Sequence, residues 1–184
     1  MDVATTPLPG LLVLTPRVFG DTRGHFLESY NHDTFKRLTG VDIDWVQDNE
    51  SRSARGVLRG LHFQLPPHGQ AKLVRVVRGA VLDVCVDIRP GSPSHGRHFK
   101  LVLDDRDKRM LFIPEGFAHG FVSLADDTLF LYKCSRYYDR GSERTIRWDD
   151  PDLGIDWGVN DPLLSEKDGQ GLSFAENPWP RTDV

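Results

Sequence analysis

A chain of 184 residues with 39% hydrophobic content is long enough to bury a substantial core, and two domains would be cramped. Its formal net charge of −4 argues against a general nucleic-acid surface, which needs a basic excess, and leaves room only for a local anion site. The 17 glycines and 12 prolines predict many turns but follow no fibrous repeat.

Residues 1–10 read as an arm. The opening MDVATTPLPG has no positive region followed by a long apolar segment, and no uncharged run along the chain is long enough to span a bilayer, so a soluble cytoplasmic protein is expected. Leu11 to Phe19 then reads as a strand broken at Pro16. After turn residues at Gly20–Gly24, alternation places Phe26, Glu28 and Tyr30 on one strand face. Asn31 to Thr39 is the one convincing short helix, with Asn31 or Asp33 as cap and Gly40 as stop. Val41, Ile43 and Trp45 alternate with Asp42 and Asp44, which predicts a further strand ending in a polar cluster where Gln47, Asn49 and Ser51 can share a face.

From Gly56 the pattern is densely β. GVLRGLHFQ, KLVRVVRG, AVLDVCVDIR, HFKLVLDD, RMLFIP, FAHGFVSL and TLFLYKCS are separated by turn signals roughly every ten residues, without helix-length patterns between them. This spacing predicts a mainly β, antiparallel fold: a jelly roll, or double-stranded β-helix barrel, with short peripheral helices. The tail from Tyr137 carries Asp–Pro steps and scattered tryptophans, which suggest extended chain packed onto the barrel, with Leu163 and Leu164 anchoring SEKD. One domain over residues 1–184 is therefore expected, with an arm at about 1–20 and a packing segment at about 139–184. Cys85 and Cys134 both lie in apolar runs and read as free buried thiols, which also fits a reducing compartment.

The stretch Gly56–Gly79 carries Arg59, His62, Gln64, Lys72 and Arg75 among its apolar residues, too many polar groups for a dry strand face unless they line a polar pocket. Alternation sends His62 and Gln64 one way and Leu61 and Phe63 the other. His62 suits a general base near neutral pH if a carboxylate holds its second nitrogen; a structural histidine bonded to backbone is the equal alternative. A metal is not expected. Gln64 is a poor ligand, Lys72 brings positive charge beside His62 and His119, and no Glu stands where a third ligand belongs. The same groups suit an oxyanion site.

Arg23, Arg59, Lys72 and Arg75 could hold phosphate or simply face solvent. Arg59, His62 and Lys72 converge if their strands pair across the Pro66–Pro67 turn, although Arg59 and His62 have opposite parity and need a bend at Gly60. No GxxxxGK[ST] or GxGxxG motif occurs, which argues against nucleotide triphosphatase and dinucleotide folds. Tyr132 shares a face with Phe130, and its phenol can protonate a carbanion or simply pack.

The segments GDTRGHFLESY, QDNESRSARGVLRGLHFQLPPHGQAKLVRVVRGAVLDVCVDIR, MLFIPEGFAHGF, YKCSRYY, IRWDDPDLGIDW and LLSEKD together resemble the dTDP-4-dehydrorhamnose 3,5-epimerase family over nearly the whole chain. The resemblance implies a cofactor-independent isomerase that inverts C3 and C5 of dTDP-4-dehydro-6-deoxy-D-glucose. By the same resemblance His62 is the base, Asp168 its carboxylate partner, Tyr132 the acid on the opposite sugar face and Lys72 the support for the C4 oxygen. Arg23 and Arg59 become diphosphate contacts, and Phe26 and Glu28 parts of the nucleotide or sugar wall. Gln47, Asn49, His119 and Tyr138 become further members of the substrate site. A homodimer whose arm crosses the interface is implied as well. Cys134 departs from the family's frequent Thr, and YYDRGSER from its usual continuation, which leaves a mono-epimerase as the alternative product assignment. A non-catalytic nucleotide-sugar binder on the same barrel is the reading from a different class.

Overall fold

The apolar runs from Leu58 onward fold as their turn spacing predicts, and the computed structural model describes residues 1–179. Strands β1 (Asp2–Thr5), β2 (Leu12–Thr15), β3 (Val18–Asp21) and β4 (Gly24–Leu27) precede helix α1 (His32–Thr39). Then come β5 (Gln47–Ser53), β6 (Leu58–Gln64), β7 (Lys72–Arg78), β8 (Ala80–Asp87), β9 (His98–Asp104), β10 (Met110–Ile113), β11 (Phe117–Ser123) and β12 (Thr128–Cys134). β13 (Glu143–Thr145) and the short helix α2 (Glu166–Gly169) follow.

Two antiparallel sheets form the jelly roll. One has the order β1-β2-β10-β7-β12-β5, the other β13-β6-β11-β8-β9, and β3 and β4 make a separate two-stranded ribbon. Alternation sends Val74, Val76, Leu111 and Phe130 of the first sheet inward to meet Val81, Cys85, Leu103, Phe117 and Phe121 of the second in one buried cluster. The tail covers the outer face of the second sheet, where Trp157, Leu153, Ile146 and Leu164 pack on Leu58, Leu61 and Val84. Cys85 and Cys134 are free and buried. No helix among the described residues is long and apolar enough to cross a membrane.

Several expectations are corrected. Val41 to Trp45 forms no strand; its apolar side chains pack beside Phe35 and Phe112, and ladder pairing with β12 begins only where Val46 N–H donates to Cys134 C=O at 3.0 Å. Burying those side chains under α1 supplies the stabilisation without a ladder. The arm is partly a strand, because Asp2–Thr5 pairs with Leu12–Thr15. Phe26, Glu28 and Tyr30 do not share a strand face. β4 stops at Leu27, Glu28 accepts from Asn31 Nδ2 at 3.3 Å, and Tyr30 packs edge-on to Trp45. The tail is not wholly extended, since β13 joins the second sheet beside β6. Leu163 anchors through its backbone, bonded to Gly56 and Leu58, while its side chain is exposed. Residues 180–184 of the expected packing segment lie outside the described residues.

β6 and β7 do not pair across the Pro66–Pro67 turn; they belong to different sheets. Their polar residues still meet, because the sheets face one another. The bend expected at Gly60 is present. His119 pairs with His62 and Phe121 with Arg59, so two steps on β11 match three on β6, and the extra residue brings Arg59 and His62 to the same pocket. Gly60 has φ +133°, and a Cβ there would lie 2.4 Å from Gly120 Cα, a backbone atom that cannot swing away. We expect Gly60→Ala to destabilise the fold by more than about 2 kcal/mol. Thermal denaturation should show a Tm lower by about 5 °C or more, and an unchanged Tm would refute this reading of the bulge.

Candidate active site

The pocket opens between the two sheets, with a volume of about 300 Å³. The first sheet supplies Gln47, Asn49 and Ser51 from β5, Lys72 from β7, and Phe130 and Tyr132 from β12. The second supplies Arg59, His62 and Gln64 from β6, His119 and Phe121 from β11, and Glu143 from β13; Tyr138 and Lys167 line the pocket too. Sequence alternation explains the β5 row, since Gln47, Asn49 and Ser51 are spaced by two.

His62 meets a carboxylate. Its Nε2 lies 2.5 Å from Asp168 Oδ1, and Asp168 is 3% exposed. Asp168 is itself fixed: Oδ1 accepts from Gly60 N–H at 3.3 Å, Oδ2 accepts from Ser165 Oγ at 2.7 Å, and Ser165 caps α2 by accepting from Asp168 N–H. Burial raises the Asp168 pKa, but the bonds from His62, Ser165 and Gly60 outweigh it and hold the carboxyl below its ordinary range. Burial lowers the His62 pKa, and the Asp168 bond only partly opposes it. Both directions favour a neutral imidazole beside a carboxylate. An ionised carboxylate can only accept, so Nε2 carries the ring proton and Nδ1 is left as the basic atom.

Lys72 forms no ion pair among the described residues. Burial lowers its pKa, against the pull of Cys134, Cys85, Asp83 and Glu143. A cation without a hydrogen-bonded counterion is suited to charge that develops on a bound oxygen. Tyr132 stands on the sheet opposite His62, and burial raises its phenol pKa, so it stays protonated and able to donate. Arg59 donates to Ser53 Oγ at 3.2 Å and likewise forms no ion pair among the described residues, which leaves its charge for an anion.

His119 bonds through Nε2 to Asp83 Oδ2 at 2.9 Å, and Cys85 Sγ lies 3.8 Å from the other Asp83 oxygen. These three residues could hold a metal, since their ligand atoms lie within 4.8 Å of one another. Their chemistry favours hydrogen-bonded support instead. Burial and the Asp83 charge raise the Cys85 pKa well above its ordinary value, so the thiol holds its proton, and Lys72 is close enough to add positive charge.

The structure brings together His62, Asp168, Lys72, Tyr132, Gln47, Asn49, Arg59, His119 and Tyr138, the last two from the central strand of the second sheet and from a loop. It does not bring Arg23, Phe26 or Glu28 into this pocket. Arg23 pairs with Asp21 at 2.5 Å, and with Phe26 it lines a separate depression on the β3–β4 ribbon. Arg75 lines another depression outside the pocket. Gln64 is held by the loop it supports, donating to His68 and Tyr137 carbonyls and accepting from Asp139 N–H. Sequence reasoning missed Glu143 and Lys167, which pair at 2.8 Å at the pocket edge, where Tyr138 Oη donates to Glu143 at 3.0 Å. Asp83 had a usable signal, as the one acid within the apolar run VLDVCV.

A family model described as dTDP-4-dehydrorhamnose 3,5-epimerase matches residues 5–176. A Shigella flexneri protein named dTDP-4-dehydrorhamnose 3,5-epimerase is 49% identical over 176 residues, covering 96% of this chain and 97% of its own. The crystal structure of a Legionella pneumophila dTDP-6-deoxy-D-glucose-3,5-epimerase in complex with dTDP-4-keto-L-rhamnose superposes with a TM-score of 0.94 at 41% identity, covering 100% of this chain and 99% of that one. A Streptomyces bikiniensis 3'-monoepimerase, solved with dTDP-quinovose, superposes with a TM-score of 0.89 at 36% identity, covering 95% and 88%.

Proposed function

The chain belongs to the dTDP-4-dehydrorhamnose 3,5-epimerase family, and from that premise we propose how its own residues carry the reaction. The enzyme is an isomerase of dTDP-sugars that inverts C3 and C5 of dTDP-4-dehydro-6-deoxy-D-glucose, giving dTDP-4-dehydro-L-rhamnose. Both protons are α to the C4 ketone, so one base and one oxyanion site serve both carbons. His62 Nδ1 takes the proton, the C–H electron pair moves into a C=C bond, and the carbonyl π pair moves onto the C4 oxygen beside Lys72. Asp168 stabilises the imidazolium that forms. Tyr132 then gives its proton to the opposite face of the carbon as the carbonyl re-forms, and the centre is inverted. The ketone of the substrate is the electron sink, so the scheme needs no nicotinamide and no metal.

The observation that carries this assignment is the His62–Asp168 contact on one wall with Tyr132 on the other. Arg59 binds the diphosphate, while Gln47, Asn49, Tyr138 and His119 hold the sugar and its hydroxyls. In deuterated buffer the purified enzyme should incorporate label from solvent at C3 and C5 of dTDP-4-keto-6-deoxyglucose, read by NMR. Label at neither carbon would leave a non-catalytic nucleotide-sugar binder. Label at one carbon would make it a mono-epimerase, the activity named for the Streptomyces bikiniensis protein.

Arg23, Phe26 and Glu28 enter the same scheme through a second copy of the chain. Phe26 is 68% exposed and Phe19 51% on a ribbon that joins neither main sheet, more apolar surface than such a hairpin keeps in water by itself. In a homodimer this ribbon reaches the partner's pocket and adds a guanidinium for the diphosphate and an aromatic face for the base. Light scattering should report a dimer, and Arg23→Ala should raise KM about tenfold with kcat little changed. A stable, fully active monomer at assay concentration would overturn this arrangement.

A further inference from the structure

The inward side chains of the first sheet form rows across three strands. Lys72 on β7, Cys134 on β12 and Gln47 on β5 are register partners in one row; Val74, Tyr132 and Asn49 form the next. Cys134 thus stands between the pocket's buried cation and its polar edge, with 1% of its surface exposed.

Its sulfur ends a chain of hydrogen bonds. Tyr138 N–H donates to Gln47 Oε1 at 2.9 Å, Gln47 Nε2 donates to Asn49 Oδ1 at 3.0 Å, and Asn49 Nδ2 donates to Cys134 Sγ at 3.5 Å. The two residues flanking Tyr138 are held from the opposite sheet, by Gln64, which takes the Asp139 N–H at 2.8 Å and gives to the Tyr137 carbonyl at 3.3 Å. Three consecutive loop residues are therefore pinned by two glutamines from facing walls. Of the three, only Tyr138 has its backbone N–H held by the chain that reaches the thiol, and its ring is tied separately by the Oη bond to Glu143.

We propose that Cys134 is a positioning residue: by anchoring the Asn49–Gln47–Tyr138 chain it fixes where the Tyr138 ring sits over the sugar, and so sets the relative rates of exchange at C3 and C5. This rests on the epimerase reading above. Sulfur is a weak acceptor, and Asn49 Nδ2 has no other protein partner among the described residues. Without the sulfur the Asn49 amide can turn, its Oδ1 leaves Gln47, and the Tyr138 N–H loses its fixed acceptor. Gln64 still holds the neighbouring residues, so the loop stays folded while the ring, left with its Oη bond to Glu143 as its tether, pivots about that point. A change of ring position does not bear equally on two carbons at opposite sides of the ketone.

The test is the deuterium-exchange assay on wild type, Cys134→Ala and Cys134→Ser, with exchange rates resolved at each carbon. Cys134→Ala should change the C3 to C5 ratio about fivefold, the worth of one modest hydrogen bond. Cys134→Ser, which keeps an acceptor of similar size, should stay within about twofold of wild type. Equal scaling of both rates in Cys134→Ala, or a Cys134→Ser ratio displaced as far as that of Cys134→Ala, overturns the proposal. If wild type labels one carbon only, the coupling is read there as a fall of about fivefold that Cys134→Ser restores; no fall, or no restoration, overturns it. No label from wild type sinks the epimerase reading instead.

Discussion

His62→Ala should lower turnover by about 10²–10⁴-fold while dTDP still binds, because the substitution removes the base and leaves the diphosphate contacts of Arg59 intact. Turnover is measured with dTDP-4-keto-6-deoxyglucose and binding by calorimetry with dTDP. Unchanged turnover would remove His62 from the base role, and loss of dTDP binding would make it a structural residue. The pH profile is tied to the same atom. The base must be neutral, and burial lowers the His62 pKa below 6.5, so kcat/KM should hold as pH falls to that value and decline only below it. An acidic limb centred above 6.5 would contradict the burial of this ring.

Tyr132→Phe should separate proton removal from inversion. The base side is untouched, so His62 still takes the substrate proton and can return deuterium to the same face, while net epimerisation falls by about 10²-fold or more. Deuterium in recovered substrate, compared with the rate of product formation, checks this. A variant that epimerises at the wild-type rate would return Tyr132 to the packing role that its contact with Phe130 already supports. The phenol's raised pKa fits the acid role, since burial keeps the proton in place until a carbanion on the opposite side draws it off.

Much of the fold was legible because its signals are local. Alternation and turn residues placed β6 to β12 within a residue or two, and Asn31 and Gly40 closed α1 as the capping pattern predicts, Asn31 Oδ1 accepting from Thr34 N–H at 3.0 Å and Gly40 taking φ +73°. The failures are those of context. Val41, Ile43 and Trp45 alternate as a strand does, but whether such a run joins a ladder depends on what lies beside it, and here the neighbours are Phe35 and Phe112 rather than a free strand edge. Arg23, Phe26 and Glu28 match the family's motif in sequence, yet the chain's own pocket does not contain them.

The residue types of the site are written in the chain. It set a basic, imidazole-bearing strand where a dry face should be apolar, a YK tyrosine far along the chain and an SEKD carboxylate farther still, and these patterns sufficed to identify the family. Tertiary structure alone decided which of them meet. Asp168 is 106 residues from His62, and the contact exists because α2 packs on β6 and Ser165 aims the carboxylate at the ring. Arg59 joins His62 only through the bulge at Gly60, and Lys72 reaches the same pocket by facing β6 across the barrel rather than pairing with it. Spacing along a strand reports the face a side chain takes, but the partner it meets depends on sheet order and bulges, which arise from contacts between residues far apart in the chain.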